Sequence, residues 1–388
     1  VSALLLLAAC GDSPSDPGVT ERTTPASLEI VAGRDQTGTA GAVTSIAPVV
    51  VVKNAAGAPL AGATVTFRVI AGGGTVTPAT TLTDLDGRAT VAAWRLGALP
   101  GANELEAAVE AITVRFTAVA ESPYGITVRY VGTATARQQL AVSNAVQRWR
   151  TLVLSELSDV VLDAPAGDCF SAQPAISEVI DDLLLYVEFA SIDGEGKVLG
   201  QAGPCYIRSE NRLPMLGFLR LDAADLMRME TIGTLDDLVL HEIGHIIGFG
   251  TIWRELGLLT GAGSADPRFG GPHALAAYRL IDAAVVSVPV ENTGAIGTRD
   301  GHWRESIFEN ELMTGYLSGT PNPLSAITVA SLQDLGYAGN TAAADAFPVL
   351  GLTAPGAGGP SIDLAEHEII VRPLFRVDRY GNRSKIGS

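Results

Sequence analysis

Leu235-Asp-Asp-Leu-Val-Leu-His241-Glu242-Ile-Gly-His245-Ile-Ile-Gly248 is the stretch from which the rest of the chain can be read. Apolar Leu235, Leu238, Val239, Ile243, Ile246 and Ile247 recur at steps of three and four, the spacing of one buried helix face. Thr234 followed by Asp237 resembles a capping box that would start this helix, and Gly248 ends it. On such a helix His241 and His245 lie one turn apart on one face, so both imidazoles can reach a single zinc ion. Glu242, between them, is placed to take a proton from a water bound to that ion. The plain alternative is a core helix with two incidental histidines. The mid-helix position, the apolar flanks and the terminal glycine favour a zinc hydrolase.

A catalytic zinc keeps three protein ligands and one open position, so a third ligand is needed. Gly248 and Gly250 argue that the helix stops, and Glu255 then follows too closely to serve from a next helix. Thr251 is not a zinc ligand. His273 and His302 remain as candidates, while His367 reads as a solvated residue near the C-terminus. His302 is followed by Trp303-Arg-Glu305 and soon by Glu311-Leu-Met313-Thr-Gly315.

Here the sequence resembles the leishmanolysin family. The residues that carry the resemblance are His241-Glu-Ile-Gly-His-Ile-Ile-Gly-Phe249, an insertion, Gly301-His-Trp-Arg304, and Asn310-Glu-Leu-Met-Thr-Gly-Tyr316. Thr328-Val-Ala-Ser-Leu-Gln-Asp-Leu-Gly-Tyr337 extends it, and Cys205 with Arg212-Leu-Pro214 resembles the stretch before the active helix. The resemblance implies an α+β zincin of the metzincin type over residues 124–340. It implies an extracytoplasmic zinc endopeptidase acting on protein or peptide substrates. It also implies that His241, His245 and His302 bind zinc, that Glu242 is the general base, and that Met313 forms the Met-turn beneath the ion. Zincins commonly run an edge strand beside extended substrate, and Gly217-Phe-Leu-Arg-Leu221 is a candidate for that strand, the alternative being a buried central strand. The protozoan members have many cysteines and an inhibitory propeptide cysteine. This chain has few, which argues against latency by a cysteine switch.

Residues 27–120 have a different character. Short β-rich runs such as Ala47-Pro-Val-Val-Val-Val52 and Ala63-Thr-Val-Thr-Phe-Arg-Val-Ile70 alternate with turn signals at Asn54-Ala-Ala-Gly57, Ala71-Gly-Gly-Gly74 and Asp84-Leu-Asp-Gly87. An all-β sandwich is expected. These segments resemble bacterial Ig-like domains of the invasin and intimin type, which implies a stalk or adhesion role without chemistry. The chain therefore reads as multidomain, an Ig-like sandwich followed by a zincin. An alternative is a surface-binding protein whose zincin domain is secondary or inactive.

The N-terminal run ending Leu7-Ala-Ala-Cys10 resembles a lipobox over residues 1–10, implying cleavage before Cys10 and its acylation. Residues 11–26, rich in Ser, Pro, Asp and Gly, read as a flexible tether. A lipid anchor on a bacterial cell envelope, at the outer membrane or surface, is the expected location. With Cys10 assigned to lipid, Cys169 and Cys205 most simply form one disulfide in an exported chain. A net charge of −16 over 388 residues makes nucleic acid a poor partner, and 47% apolar against 18% charged residues supports sizeable cores. Residues 341–388 read as a loosely attached tail with one strand-like run, Glu368-Ile-Ile-Val-Arg372.

Overall fold

The computed structural model describes residues 24–295, 298–317, 321–347, 362–364 and 367–386. The chain forms two compact units, one ending at Glu121 and one beginning at Ser122. Cys10 and the lipobox lie outside the described residues, as do 11–23 of the expected tether. Among the described residues no helix is long and apolar enough to cross a membrane.

The first unit is built of strands alone: β1 (Ser27–Ala32), β2 (Gln36–Thr39), β3 (Val49–Lys53), β4 (Thr64–Ala71), β5 (Thr75–Thr77), β6 (Thr80–Leu82), β7 (Arg88–Thr90), β8 (Ala93–Arg95), β9 (Gly101–Val109) and β10 (Ile112–Glu121). They form a three-stranded sheet, β1-β3-β7, a five-stranded sheet, β2-β10-β9-β4-β6, and a β5-β8 pair. Side chains alternate across each strand, so β9 buries Asn103, Leu105, Ala107 and Val109 while the residues between them are partly exposed. Val50, Val52, Val65, Phe67, Trp94, Leu105 and Phe116 meet in one core, which needs no disulfide. The expected all-β architecture of this segment is what the strands show.

The second unit mixes elements: β11 (Ile126–Val131), α1 (Ala136–Leu152), β12 (Val160–Ala164), β13 (Ile176–Ile180), β14 (Leu183–Ala190), β15 (Gly200–Arg208), β16 (Pro214–Asp222), α2 (Ala223–Ile232) and α3 (Leu235–Ile247). Beyond α3 lie β17 (Leu259–Thr260), β18 (Arg268–Phe269), α4 (Pro272–Arg279), β19 (Val288–Pro289), α5 (Glu305–Phe308), β20 (Tyr316–Leu317), α6 (Ala326–Leu335), β21 (Ile362–Asp363), β22 (Glu368–Ile370), β23 (Phe375–Val377) and β24 (Arg383–Lys385). The main sheet runs β11-β14-β16-β15-β23-β24, and β22 also pairs with β15. β11, β14 and β16 are mutually parallel, and β15 is antiparallel to β16. Helices α1 and α3 pack on each other, and the buried face of α1 (Ala141, Val142, Ala145, Val146, Trp149 and Leu152) joins the core that α3 supplies.

Two expectations need correction. The strand that contains Gly217–Leu221 is not an edge. β16 lies between β14 and β15 and is buried almost throughout, because its run of apolar residues suits a strand covered on both faces. Thr234 does stand at the start of α3, but in helical backbone (φ −100°, ψ −2°), and its side chain makes no capping bond. Asp237 instead accepts a hydrogen bond from Asn322 Nδ2 at 2.7 Å. Asp236 and Asp237 still place negative charge in the first turn, where the helix dipole favours it.

Among the described residues beyond 341, the strand-like run at Glu368 does form a strand. Three of their strands, β22 to β24, join the main sheet, and Leu364 and Val377 are buried. Cys169 and Cys205 are joined by a disulfide, with Cα atoms 5.6 Å apart.

Candidate metal centre

α3 carries His241 and His245 on its buried face, as the i, i+4 spacing requires. The helix ends at Gly248 (φ 124°), and the chain turns again at Gly250 (φ 73°). A Cβ at Gly250 would fall 2.1 Å from the carbonyl oxygen of Gly301, so only glycine lets this turn meet the segment that carries His302. Thr251 is no ligand. Its hydroxyl donates to the His245 carbonyl at 2.8 Å, satisfying an acceptor at the helix end.

The three imidazoles converge. Their Nε2 atoms are 2.9 Å (His245–His241), 3.0 Å (His241–His302) and 3.1 Å (His245–His302) apart. Each opposite nitrogen is occupied by a backbone carbonyl. His241 Nδ1 faces Leu312 O at 2.6 Å, His245 Nδ1 faces Phe249 O at 2.9 Å, and His302 Nδ1 faces Thr298 O at 3.0 Å. A carbonyl only accepts, so each Nδ1 carries the proton and each Nε2 presents a bare lone pair. Three lone pairs turned on one point repel unless a cation lies between them. Four ligands about 2.0–2.1 Å from one ion would be about 3.3 Å apart, close to these separations. The donor set therefore fits a metal ion, and such carbonyl partners are the usual second contact of metal-binding histidines. His245 is held well below the usual imidazole range, first by burial, so it stays neutral and available as a ligand.

A fourth group completes the cluster. The Glu368 carboxylate, from β22, lies 3.2 Å from His245 Nε2, 3.2 Å from His302 Nε2 and 3.7 Å from His241 Nε2. Its side chain and those of the three histidines are fully buried. Together these four residues form a group that could hold a metal ion. Glu242 is also fully buried, and both its carboxylate oxygens lack a hydrogen-bond partner. Burial, then the neighbouring Glu368 charge, push its pKa well above the usual value.

Met313 packs against the helix that carries His241 and His245. A Cβ at Gly244, on the same helix, would sit 2.9 Å from Met313 Cε and 3.0 Å from its sulfur. The turn that carries Met313 is held by the buried Glu311 carboxylate. It accepts from Met313 N (2.6 Å), Ser325 N (2.9 Å), Ser325 Oγ (2.7 Å) and the Thr328 hydroxyl. Thr328 Oγ1 in turn accepts from Trp303 Nε1 at 2.8 Å, which ties the residue after His302 to the same turn. His273 does not join the site. It stands at the start of α4, largely exposed, with its ring against Asp334 at 2.9 Å. His367 contacts Lys197 O.

Sequence reasoning brought His241, Glu242, His245, His302 and Met313 to one place and missed Glu368. The strand-like run beginning at Glu368 was legible, but nothing local ties it to a helix more than 120 residues earlier.

Fold and site together define an HExxH helix whose two histidines meet a third, His302, in a group that could hold a metal ion. Residues 172–350 match the leishmanolysin family of peptidases. A leishmanolysin homolog from Crithidia fasciculata is 31% identical over 166 residues, which are 40% of this chain and 24% of that protein. The chain thus spans about a quarter of that relative's length. The resemblance to leishmanolysin therefore holds over the region that contains the three histidines. Among solved structures the chain is similar to the D0-D1 domain of intimin, at 21% identity and a TM-score of 0.21, covering 26% of this chain and 49% of that one. It is also similar to invasin, a bacterial integrin-binding protein by its title, at 22% identity and a TM-score of 0.20, covering 25% of this chain and 20% of that one.

Proposed function

We propose that the second unit is a zinc endopeptidase. The observation that carries this reading is the convergence of three bare Nε2 lone pairs beside a buried Glu242, within a region that matches a peptidase family. His241, His245 and His302 hold the ion. Zinc bound there supplies Lewis acidity, which lowers the pKa of a water towards about 7 and polarises a peptide carbonyl. Glu242 accepts the proton from the attacking water and returns it to the leaving amine. Leu312, Phe249 and Thr298 hold the imidazoles in the required tautomer through their carbonyls.

The substrate class is protein or peptide. The disulfide supports an oxidising, exported setting. Acylation of Cys10 would place the enzyme on a bacterial envelope, with the sandwich unit as a spacer.

Metal analysis and casein digestion of the full chain test this reading. Wild type and Glu242→Ala should each hold one zinc, while the chelator-sensitive digestion of wild type, slow where the site is closed, should vanish in Glu242→Ala. Full zinc content in His302→Ala, or digestion by Glu242→Ala, would refute it.

A further inference from the structure

The metal centre is closed by the chain's own C-terminal region. Ile362 and Asp363 pair with Leu317 and Tyr316, in the strand that follows the Met313 turn. Leu364 N donates to Gly315 O at 3.0 Å. From the residue after His367, β22 pairs with the β15 edge, with Gly200 opposite Glu368 and Ala202 opposite Ile370. Leu199 N donates to His367 O at 2.7 Å and Val371 N to Ala202 O at 2.7 Å. The segment continues into β23, which pairs with Tyr206–Arg208 of the same strand. Residues 362–364 are thus tied to the strand after Met313 and residues 367–377 to the sheet edge, and Glu368 is set on the histidines.

Two consequences follow from this placement. First, an extended peptide adds to a sheet through a free edge, and the β15 edge is already occupied. Gly200, opposite Glu368, also lies beside the proposed base, since a Cβ there would be 3.3 Å from Glu242 Oε1. Second, His241, Glu242, His245 and His302 are all fully buried, so no peptide can reach them in this conformation. The Glu368 oxygens have no hydrogen-bond donor and are aimed at the point where the three Nε2 atoms meet. A buried carboxylate without donors is costly unless a cation faces it. Glu368 also lies beyond residues 172–350, the region matched by the family.

We infer that residues 367–377 form an autoinhibitory strap whose Glu368 carboxylate takes the open coordination position and whose β22 takes the substrate edge, so that the folded chain is held at low activity. This inference rests on the metallopeptidase reading above. A catalytic zinc needs three protein ligands and one exchangeable position, and with Glu368 in place all four are protein. Full activity then requires the strap to leave the β15 edge or to be removed by cleavage.

Acetohydroxamic acid, a small chelating probe, tests this without a substrate. It is titrated into the full-length cobalt-loaded protein, with binding read from the visible cobalt absorption. Glu368→Gln keeps the size of the side chain but weakens its hold on a cation. Glu368→Asp keeps the charge but shortens the reach, and serves if Glu368→Gln does not fold. Either variant should bind the probe about tenfold or more tighter than wild type. It should also digest casein faster. Equal probe affinity in wild type and variants, with the cobalt spectrum still lost in His302→Ala, overturns the strap and leaves the metal site standing. A cobalt spectrum indifferent to His302→Ala overturns the reading beneath it.

Discussion

Gly244, on the helix of His241 and His245, packs against Met313 with no room for a side chain between them. A Cβ at 244 would come within 2.9 Å of Met313 Cε on one side and 3.0 Å of Trp149 Cζ2 on the other. Trp149 cannot yield, because its indole N–H donates to Leu240 O at 2.9 Å and its ring is buried in the core. Gly244→Ala should therefore push Met313 aside and cost about 1–3 kcal/mol of stability, as overpacking does. Denaturant unfolding measures this. An unchanged midpoint, with zinc still bound, would show that the contact is slack.

Glu311 should matter more than its distance from the chemistry suggests. Four donors converge on its buried carboxylate, and Glu311→Ala leaves them without an acceptor. Each buried unsatisfied donor costs about 1–3 kcal/mol, so the Met313 turn should lose order and the protein several kcal/mol. Urea unfolding and zinc retention should fall together. A stable variant with full zinc content would mean that the turn does not need this acceptor.

The two late histidines separate cleanly. His302→Ala should lower zinc affinity strongly, because it removes one of three converging nitrogens. His273→Ala should leave affinity unchanged and cost at most about 1 kcal/mol, the scale of an exposed helix-end contact with Asp334. Equilibrium zinc competition with a coloured chelator reads both. Dependence on His273 would contradict the geometry.

Much of the site was visible in the sequence because its signals are local. His241, Glu242 and His245 are set by helical spacing alone, and Gly248 and Gly250 mark where the helix must end. His302 and Met313 were reached through a family resemblance, since an insertion of this length carries no geometric signal. β16 was misplaced at an edge because its apolar run does not say which strands flank it. The capping box at Thr234 failed because Thr234 is in helical backbone with its hydroxyl on Met229 Sδ, while Asp237 is engaged by Asn322, a partner 85 residues away. Glu368 was missed for the same reason: its role follows from a strand pairing with Gly200 that only the folded chain reveals.

Stability should respond to pH through Asp182. Burial pushes its pKa up to about 6, although its oxygens accept from Gly125 N at 2.6 Å and Leu157 N at 2.8 Å. An unfolded Asp titrates near 3.9, so the fold binds this proton more tightly than the unfolded chain does. The contribution is fully present below about pH 4 and is lost as pH rises through about 6. Asp182→Asn cannot titrate. The Tm of wild type minus that of Asp182→Asn should therefore fall between pH 4 and pH 7. A difference that rises over this range would contradict the assignment.

The central claim is that three histidines and Glu242 form a zinc peptidase held shut by Glu368. The most direct measurement compares casein cleavage by full-length, zinc-loaded Glu368→Gln with that of Glu368→Gln/Glu242→Ala. Both should hold one zinc per chain, the first should cleave faster than wild type, and the second should not cleave. Cleavage that survives the loss of Glu242, or an absence of bound zinc in both, would contradict the account.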